Sequence, residues 1–185
     1  YRVNAITEKL MIRPMGIFQL IDYVGIDVFK MICTSMATYI TEDFSSEVLE
    51  MFLADNIKGG QFGDGSQKDG FFRYEKGRPV AVYSPEQSSY VTLPEFNSGL
   101  PVRSWKELSS DPHADKYFSQ YFEALYHSAD DNAKLAVRYL ENSRQIARNL
   151  VDNGVADEIE HVNTVLKNGF YHLYGPENSY MGNCQ

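Results

Sequence analysis

The chain has 185 residues, enough for one ordinary domain or for two small, closely packed ones. Its hydrophobic fraction of 43% and charged fraction of 23% are typical of a globular protein that buries a core. The net charge of −8, without clustered Lys and Arg, argues against a nucleic-acid partner. No apolar run approaches the roughly 20 residues that a membrane span needs, so we expect no membrane partner either.

Cysteine and histidine usage gives no sign of a metal site or a disulfide framework. The two cysteines, Cys33 and Cys184, are far apart, and none of the four histidines stands at metal-ligand spacing. No signal peptide is visible, so we expect a reducing, cytoplasmic environment. The first residue is Tyr1 rather than Met, which allows for a domain upstream of this sequence.

Apolar periodicity predicts a series of short helices in the first part of the chain. The predicted helices span about 3–11, 17–23, 26–40 and 45–56. Pro14 ends the first helix, because proline cannot continue the backbone hydrogen-bond ladder. The expected inward face of 26–40 consists of Val28, Ile32, Met36 and Tyr39, widened by Phe29 and Cys33.

Beyond residue 56 the character of the chain changes. Five glycines fall between residues 59 and 70, which indicates irregular backbone with positive φ angles. Short extended segments at 71–74, 80–83 and 90–93 follow. A dinucleotide-binding loop would need a strand before it and a helix after it, and this order is the reverse. We therefore predict a mainly α fold with a short extended or hairpin segment around 71–93.

The last third of the chain is again helical by periodicity. Asp111 and Pro112 predict a helix start, and an aromatic face follows at 117–126. Further helices are predicted at about 131–153 and 158–167. We interpret residues 84–112, which are rich in proline, as a connector.

Two segments of the chain resemble each other without gaps. Residues 3–6 and 14–16 match residues 162–165 and 173–175 in their Val, Asn and Gly positions. A helix and a glycine-marked turn would then be built twice. We predict a first helical unit at 1–83 that lacks its initial helix, the connector at 84–112, and a second, degenerate copy at 113–185.

The most informative stretch is residues 13–27, Arg-Pro-Met-Gly-Ile-Phe-Gln-Leu-Ile-Asp-Tyr-Val-Gly-Ile-Asp. Pro14 breaks one helix, and Gly16 lets the backbone turn closely. Asp22 and Asp27 can cap helix starts or meet exposed amides. Taken alone, these residues fit a tight corner between two helices.

The same stretch resembles the signature Pro-Met-Gly-Pro-Phe-x-Leu-x-Asp-x-x-Gly-x-Asp of the C-terminal domain of 3-hydroxyacyl-CoA dehydrogenases. The matching residues, in order, are Pro14, Met15, Gly16, Phe18, Leu20, Asp22, Gly25 and Asp27. Ile17 stands where the family has its second proline. The family's glycine-rich segment, which ends in Lys-x-Gly-x-Gly-Phe-Tyr-x-Tyr, is similar to a second stretch here. Its matching residues are Lys68, Gly70, Phe71 and Tyr74, whereas the threonine-glycine pair is altered to Gly65-Ser66-Gln67.

The resemblance implies the helical C-terminal fold of the 6-phosphogluconate/3-hydroxyacyl-CoA dehydrogenase type. In that family the enzyme oxidises 3-hydroxyacyl-CoA with NAD: a histidine, oriented by a glutamate, acts as general base while hydride passes to the nicotinamide. These residues lie in an N-terminal nucleotide-binding domain that this sequence does not match. We therefore expect no catalytic, cofactor-binding or metal-binding residue here, and an inactive chain when it is alone. NAD is expected in the missing N-terminal domain, which would hold the acyl-CoA substrate together with this one.

The family's C-terminal domain closes the substrate cleft and forms a dimer. For the cleft side we choose Pro14, Met15, Gly16 and Phe18. The apolar faces of 26–40 and 117–126 are candidates for burial between repeats or in a homodimer. Two alternatives stay open: a stand-alone helical interaction module that shares the ancestry but not the catalysis, and the helical domain of a related dehydrogenase of small hydroxy acids.

Overall fold

The computed structural model describes residues 1–41 and 43–181, so that Cys184 lies outside the described residues. The helices, in chain order, are α1 (Arg2–Ala5), continued by a π-helical turn (Ile6–Leu10), α2 (Ile17–Val24), α3 (Ile26–Met36), α4 (Glu47–Ala54), α5 (Trp105–Leu108), α6 (Ala114–Tyr126), α7 (Asp131–Asp152) and α8 (Ile159–Gly169). The strands are β1 (Phe72–Glu75), β2 (Arg78–Ser84) and β3 (Ser89–Thr92). The predicted mainly α fold with a hairpin segment around 71–93 is confirmed. Within the described ranges, no helix combines the length and the apolar character that crossing a membrane requires.

The chain forms two compact units. The first consists of Tyr1 and Ile17–Glu95, and the second of Arg2–Gly16 and the chain from Phe96 onward. These units do not follow the predicted boundaries at 83 and 113, because the first helical segment packs within the second unit. The predicted connector also contains α5, whose start is fixed by a capping box between Ser104 and Glu107.

The first unit combines α2, α3 and α4 with an antiparallel meander in the order β1-β2-β3. The register pairs Phe72 with Val82 and Tyr83 with Tyr90. Aromatic rings make up most of its core: Phe71 lies 4.5 Å from Phe52 between ring centroids, in a tilted contact. The buried members of the core are Ile21, Ile26, Leu49, Phe52, Phe71, Phe72 and Tyr83.

The inward face predicted for α3 is wrong for its four main residues, although Cys33 is buried and Phe29 is half-buried against the core. Val28, Ile32, Met36 and Tyr39 are between 39% and 90% exposed, whereas Ile26 and Cys33 are buried. Apolar residues occur around most of this helix, so periodicity by itself does not decide which stripe faces the core. The buried face of α3 is the one that contacts α2 and α4. A second apolar stripe on this helix stays uncovered within the described residues.

The second unit is helical. Its core contains Leu10, Phe118, Phe122, Leu125 and Leu140, so the aromatic face predicted on 117–126 is buried inside this unit. Two tyrosine hydroxyls bond to carbonyls at the end of the first helical segment: Tyr121 donates to the carbonyl of Leu10 at 2.7 Å, and Tyr174 to that of Met11 at 2.6 Å. These buried bonds satisfy carbonyls that the helix end would otherwise leave unpaired. They explain why Arg2–Gly16 belongs to this unit.

Two turns in the second unit have the same form. In one, Gly16 packs directly against the buried Asn4; in the other, Gly175 packs directly against the buried Asn163. Each asparagine lies on a helical segment, and each glycine follows the end of that segment. The duplication of a whole domain stays a prediction, but both turns are built from a glycine packed on a buried asparagine.

The glycine at each turn is expected to be irreplaceable. A Cβ on Gly175 would overlap the side chain of Asn163, and a Cβ on Gly16 would overlap both the side chain and the backbone carbonyl of Asn4. Gly175→Ala should lower the free energy of unfolding by about 2 kcal/mol, and Gly16→Ala by at least as much, as in other overpacked sites. Chemical denaturation measures both changes.

Gly169→Ala is the matched control, because it ends α8 and a Cβ there meets no atom within 4 Å. We expect that variant to unfold within about 0.5 kcal/mol of the wild type. A Gly175→Ala protein as stable as the control would show that the asparagine contact is not a close one.

Candidate functional site

The residues of the two sequence motifs meet at one buried carboxylate. Asp22, in α2, has no exposed surface. Its Oδ1 accepts the backbone N–H of Phe71 at 2.6 Å. Its Oδ2 accepts the N–H of Phe72 at 3.0 Å and the hydroxyl of Tyr74 at 2.9 Å. One side chain therefore ties α2 to the start of β1, and both oxygens are occupied.

Glycines make this approach possible. Gly70 packs directly on the carboxylate of Asp22, where a Cβ would overlap Oδ1. Gly59 has a φ of 64°, and a Cβ on it would lie 2.8 Å from the backbone oxygen of Asp22. That same oxygen accepts the N–H of Gly60 at 2.7 Å. The glycine-rich segment is thus packed against the end of α2.

Gln67 has a role that sequence reasoning missed. Its Nε2 lies 2.9 Å from the carbonyl oxygen of Asp22, 3.1 Å from that of Gly60 and 3.0 Å from that of Lys68. The residue stands in the segment where the family's threonine-glycine pair is altered. An amide side chain within a glycine-rich loop was the available signal, since an amide group carries two N–H donors for unpaired carbonyls.

Burial dominates the electrostatics of this cluster. Desolvation raises the pKa of Asp22 from 3.8 to about 6, against the opposing effect of the hydrogen bonds from Phe72, Phe71 and Tyr74. Burial and the neighbouring charge of Asp22 likewise raise the pKa of Tyr74. A general base has to reach the proton that it removes. Asp22 is enclosed by its own donors, so its carboxylate supports the fold.

The remaining motif residues lie around this cluster rather than in it. Gly25, with a φ of 109°, precedes α3, and the carboxylate of Asp27 accepts the N–H of Val28 at 2.8 Å in the first turn of that helix. The ammonium of Lys68 lies 5.4 Å from the centroid of the Phe62 ring. The structure therefore brings Asp22, Gly70, Phe71 and Tyr74 together but leaves Gly25, Asp27 and Lys68 outside the hydrogen-bonded cluster.

The four residues chosen for the cleft side differ from one another in their surroundings. Pro14 and Met15 are half-buried, and Gly16 is buried against Asn4. Phe18 is half-buried, with its ring centroid 4.8 Å from that of Phe71. Their assignment to a substrate cleft stays a prediction. In the part of the chain that the structure describes, no three His, Cys, Asp or Glu side chains are grouped in a way that could hold a metal ion.

Comparison with known families gives one match. Residues 2–74 match the family model described as "3-hydroxyacyl-CoA dehydrogenase, C-terminal domain". The matched segment ends at Tyr74, the last residue that bonds to Asp22. Comparison with curated proteins and with solved structures gives no match.

Replacing Gly70 tests whether the close approach to Asp22 is necessary. In Gly70→Ala the new methyl group would displace the carboxylate from the N–H groups of Phe71 and Phe72. We expect a loss of about 3 kcal/mol or more in the free energy of unfolding, because overpacking and unsatisfied buried groups add together. Gly63→Ala, in the same loop with nothing within 4 Å of its Cβ, should cost under about 1 kcal/mol. Equal losses in the two variants would contradict the proposed contact.

The titration of Asp22 predicts a pH dependence with a definite sign. The folded chain binds the Asp22 proton more tightly than the unfolded chain, so the stability that this proton supplies is lost as the pH rises through about 6. The free energy of unfolding of the wild type, minus that of Asp22→Asn, should fall by up to about 3 kcal/mol between about pH 4 and pH 7. Denaturation of both proteins at several pH values measures this difference. The contributions of the other titrating groups are the same in both proteins and cancel. A difference that grows with pH would mean that the three hydrogen bonds outweigh desolvation.

Proposed function

We propose that this chain is the substrate-closing and dimerisation domain of an NAD-dependent 3-hydroxyacyl-CoA dehydrogenase of fatty acid metabolism. The proposal is supported by the match of residues 2–74 to the family model of the C-terminal domain of 3-hydroxyacyl-CoA dehydrogenase. The observation that carries the proposal is the family match, whose motif residues Asp22, Gly70 and Tyr74 converge on one cluster. Chance similarity along a sequence would not require distant residues to meet in space.

In this proposal the chemistry is divided between two domains. The hydride transfer to NAD, and the histidine and glutamate that assist it, belong to a nucleotide-binding domain. The present chain supplies no reacting group; it shapes the substrate side of the cleft and excludes water when the two domains close on the acyl-CoA. The buried position of Asp22 supports this division, since both oxygens of this motif carboxylate accept hydrogen bonds within the fold.

The cleft side is assigned to the turn before α2. Pro14 and Met15 are only half-buried, and they follow directly on the first helical segment of the second unit. The methionine side chain is flexible and apolar, which suits contact with an acyl chain or a pantetheine arm. The adjoining Gly16 cannot move away from Asn4, so the turn is held in place.

The dimer interface is assigned to the uncovered stripe of α3. Its exposed members are Val28, Met31, Ile32 and Met36, with Met31 69% exposed. Contiguous apolar side chains on a surface favour burial against a partner. The face on 117–126 is withdrawn as a candidate, because its aromatic residues form the core of their own unit. The same stripe on α3 also favours the second candidate function, a stand-alone helical interaction module.

Titration with NADH and with acetoacetyl-CoA distinguishes these functions. We expect calorimetry to show weak binding of the CoA thioester, no binding of NADH and no NADH oxidation by the chain alone. Met15→Ala should weaken thioester binding by about threefold to tenfold through lost apolar contact. Met31→Ala, a change of the same kind on the exposed α3 stripe, should leave thioester binding unchanged.

Two outcomes would contradict the proposal. Tight NADH binding with turnover would place the chemistry in this chain. Absence of thioester binding in both the wild type and the variants would favour the interaction module instead.

A further inference from the structure

A cavity of about 440 Å³ lies between α3, α4 and the segment that joins them. From α3 and its end it is lined by Lys30, Cys33, Thr34 and Ala37, which share one helix face because they are spaced three and four residues apart. This face differs from the uncovered stripe of α3 that is assigned to the dimer interface. The volume falls within the roughly 300–1,000 Å³ that is usual for small-molecule sites in proteins. The space between the two helices is therefore large enough for a small ligand.

Part of the cavity lining is apolar. Leu49 and Cys33 are only 7% and 8% exposed, and Ala37 and the half-buried Phe44 line the cavity beside them. The thiol of Cys33 forms no disulfide and makes no hydrogen bond to a described residue. These side chains suit contact with a hydrocarbon group, because burying apolar surface against them removes it from water. The unpaired thiol also gives the cavity a chemical reporter of its own.

The charged groups that line the cavity are mostly acidic. Among the described lining residues, three carboxylates, those of Asp43, Glu47 and Glu50, stand against the ammonium of Lys30, which gives a net charge of −2. That ammonium is already paired, since it lies 2.7 Å from each oxygen of Glu50. Hydrogen bonds from the backbone and the side chain of Ser45 lower the pKa of Asp43, so this carboxylate is ionised at neutral pH. Asp43 and Glu47 are left without a cationic partner among the described residues.

We propose that this cavity binds an organic cation, a primary amine attached to a short apolar chain. The hydrocarbon chain contacts Ala37 and Leu49, and the ammonium group pairs with the carboxylates of Asp43 and Glu47. The ring of Phe44 adds an aromatic face, which attracts cations through its quadrupole. Apolar contacts supply the affinity in such a site, and the few charged groups select the ligand.

The charge of the lining separates this site from the function proposed above. An acyl-CoA, a fatty acid or a phosphate brings negative charge, which the unpaired carboxylates repel. The amine site is therefore independent of acyl-CoA binding. Glu47 and Glu50 also stand in the first turn of α4, where acidic side chains favour the helix dipole. That role would remain if the cavity bound nothing, so the experiment detects a ligand inside the cavity rather than a change in stability.

The experiment uses the full chain with Cys184→Ser, which leaves Cys33 as its one thiol. Neutral iodoacetamide alkylates Cys33, and mass spectrometry gives the rate. n-Octylamine at about ten times its Kd should slow the alkylation about tenfold, because only protein with an empty cavity reacts. Octanoate, which has the same chain length and a negative head group, should give no protection.

Two pairs of variants locate the ligand. Ala37→Leu fills the cavity and should abolish the protection, whereas Ala54→Leu, the same change at the end of α4 and outside the lining, should keep it. Glu47→Gln should weaken amine binding by about threefold to tenfold through the loss of one charge. Glu86→Gln, on the exposed turn between β2 and β3, should bind the amine as the unchanged lining does.

Three results would overturn the proposal: no protection of Cys33 by octylamine, equal protection by octanoate, or equal protection of the Ala37→Leu and Ala54→Leu proteins. Circular dichroism of each variant separates a lost site from a lost fold. The comparison of the amine with the carboxylate needs only the natural lining, so it decides the proposal even where a variant does not fold.

Discussion

The carboxylate of Asp22 connects the parts of the first unit that the sequence separates. It is fully buried, and a buried charge is stable only when its lone pairs are matched by donors. The donors lie at and around the beginning of β1, so the carboxylate ties α2 to the hairpin. Positions 59 and 70 require glycine, because a side chain at either place would occupy the space of Asp22.

In the second unit a neutral side chain, that of a buried asparagine, bonds to the backbone at a turn. Asn4 and Asn163 are buried beneath glycines, and the amide of Asn163 donates to the carbonyl of Glu177 at 3.0 Å while its Oδ1 accepts the N–H of the same residue at 3.2 Å. An amide can satisfy both a donor and an acceptor of the backbone, which a carboxylate cannot. The chain therefore uses asparagine where it turns after a helix, and aspartate where several N–H groups converge.

The polar side chains in the matched motifs support the fold. Asp22 and Tyr74 are joined by a hydrogen bond, Gly70 packs directly on the Asp22 carboxylate, and both carboxylate oxygens accept hydrogen bonds from the protein itself. The resemblance to the family thus explains how this part of the first unit is held together.

Periodicity, glycine density and the spacing of Pro14, Asp22 and Gly70 predicted the helices, the hairpin and the resemblance to the family, because each of these signals is local or is carried by a few residue types. Tertiary structure alone decided which stripe of α3 is buried, since apolar residues surround that helix and only its neighbours select a face. It also decided that Arg2–Gly16 packs with the chain from Phe96 onward, through hydroxyl bonds from Tyr121 and Tyr174 that no local pattern predicts. Contacts between residues far apart in sequence depend on how side chains fill shared space, and a single sequence does not state that arrangement.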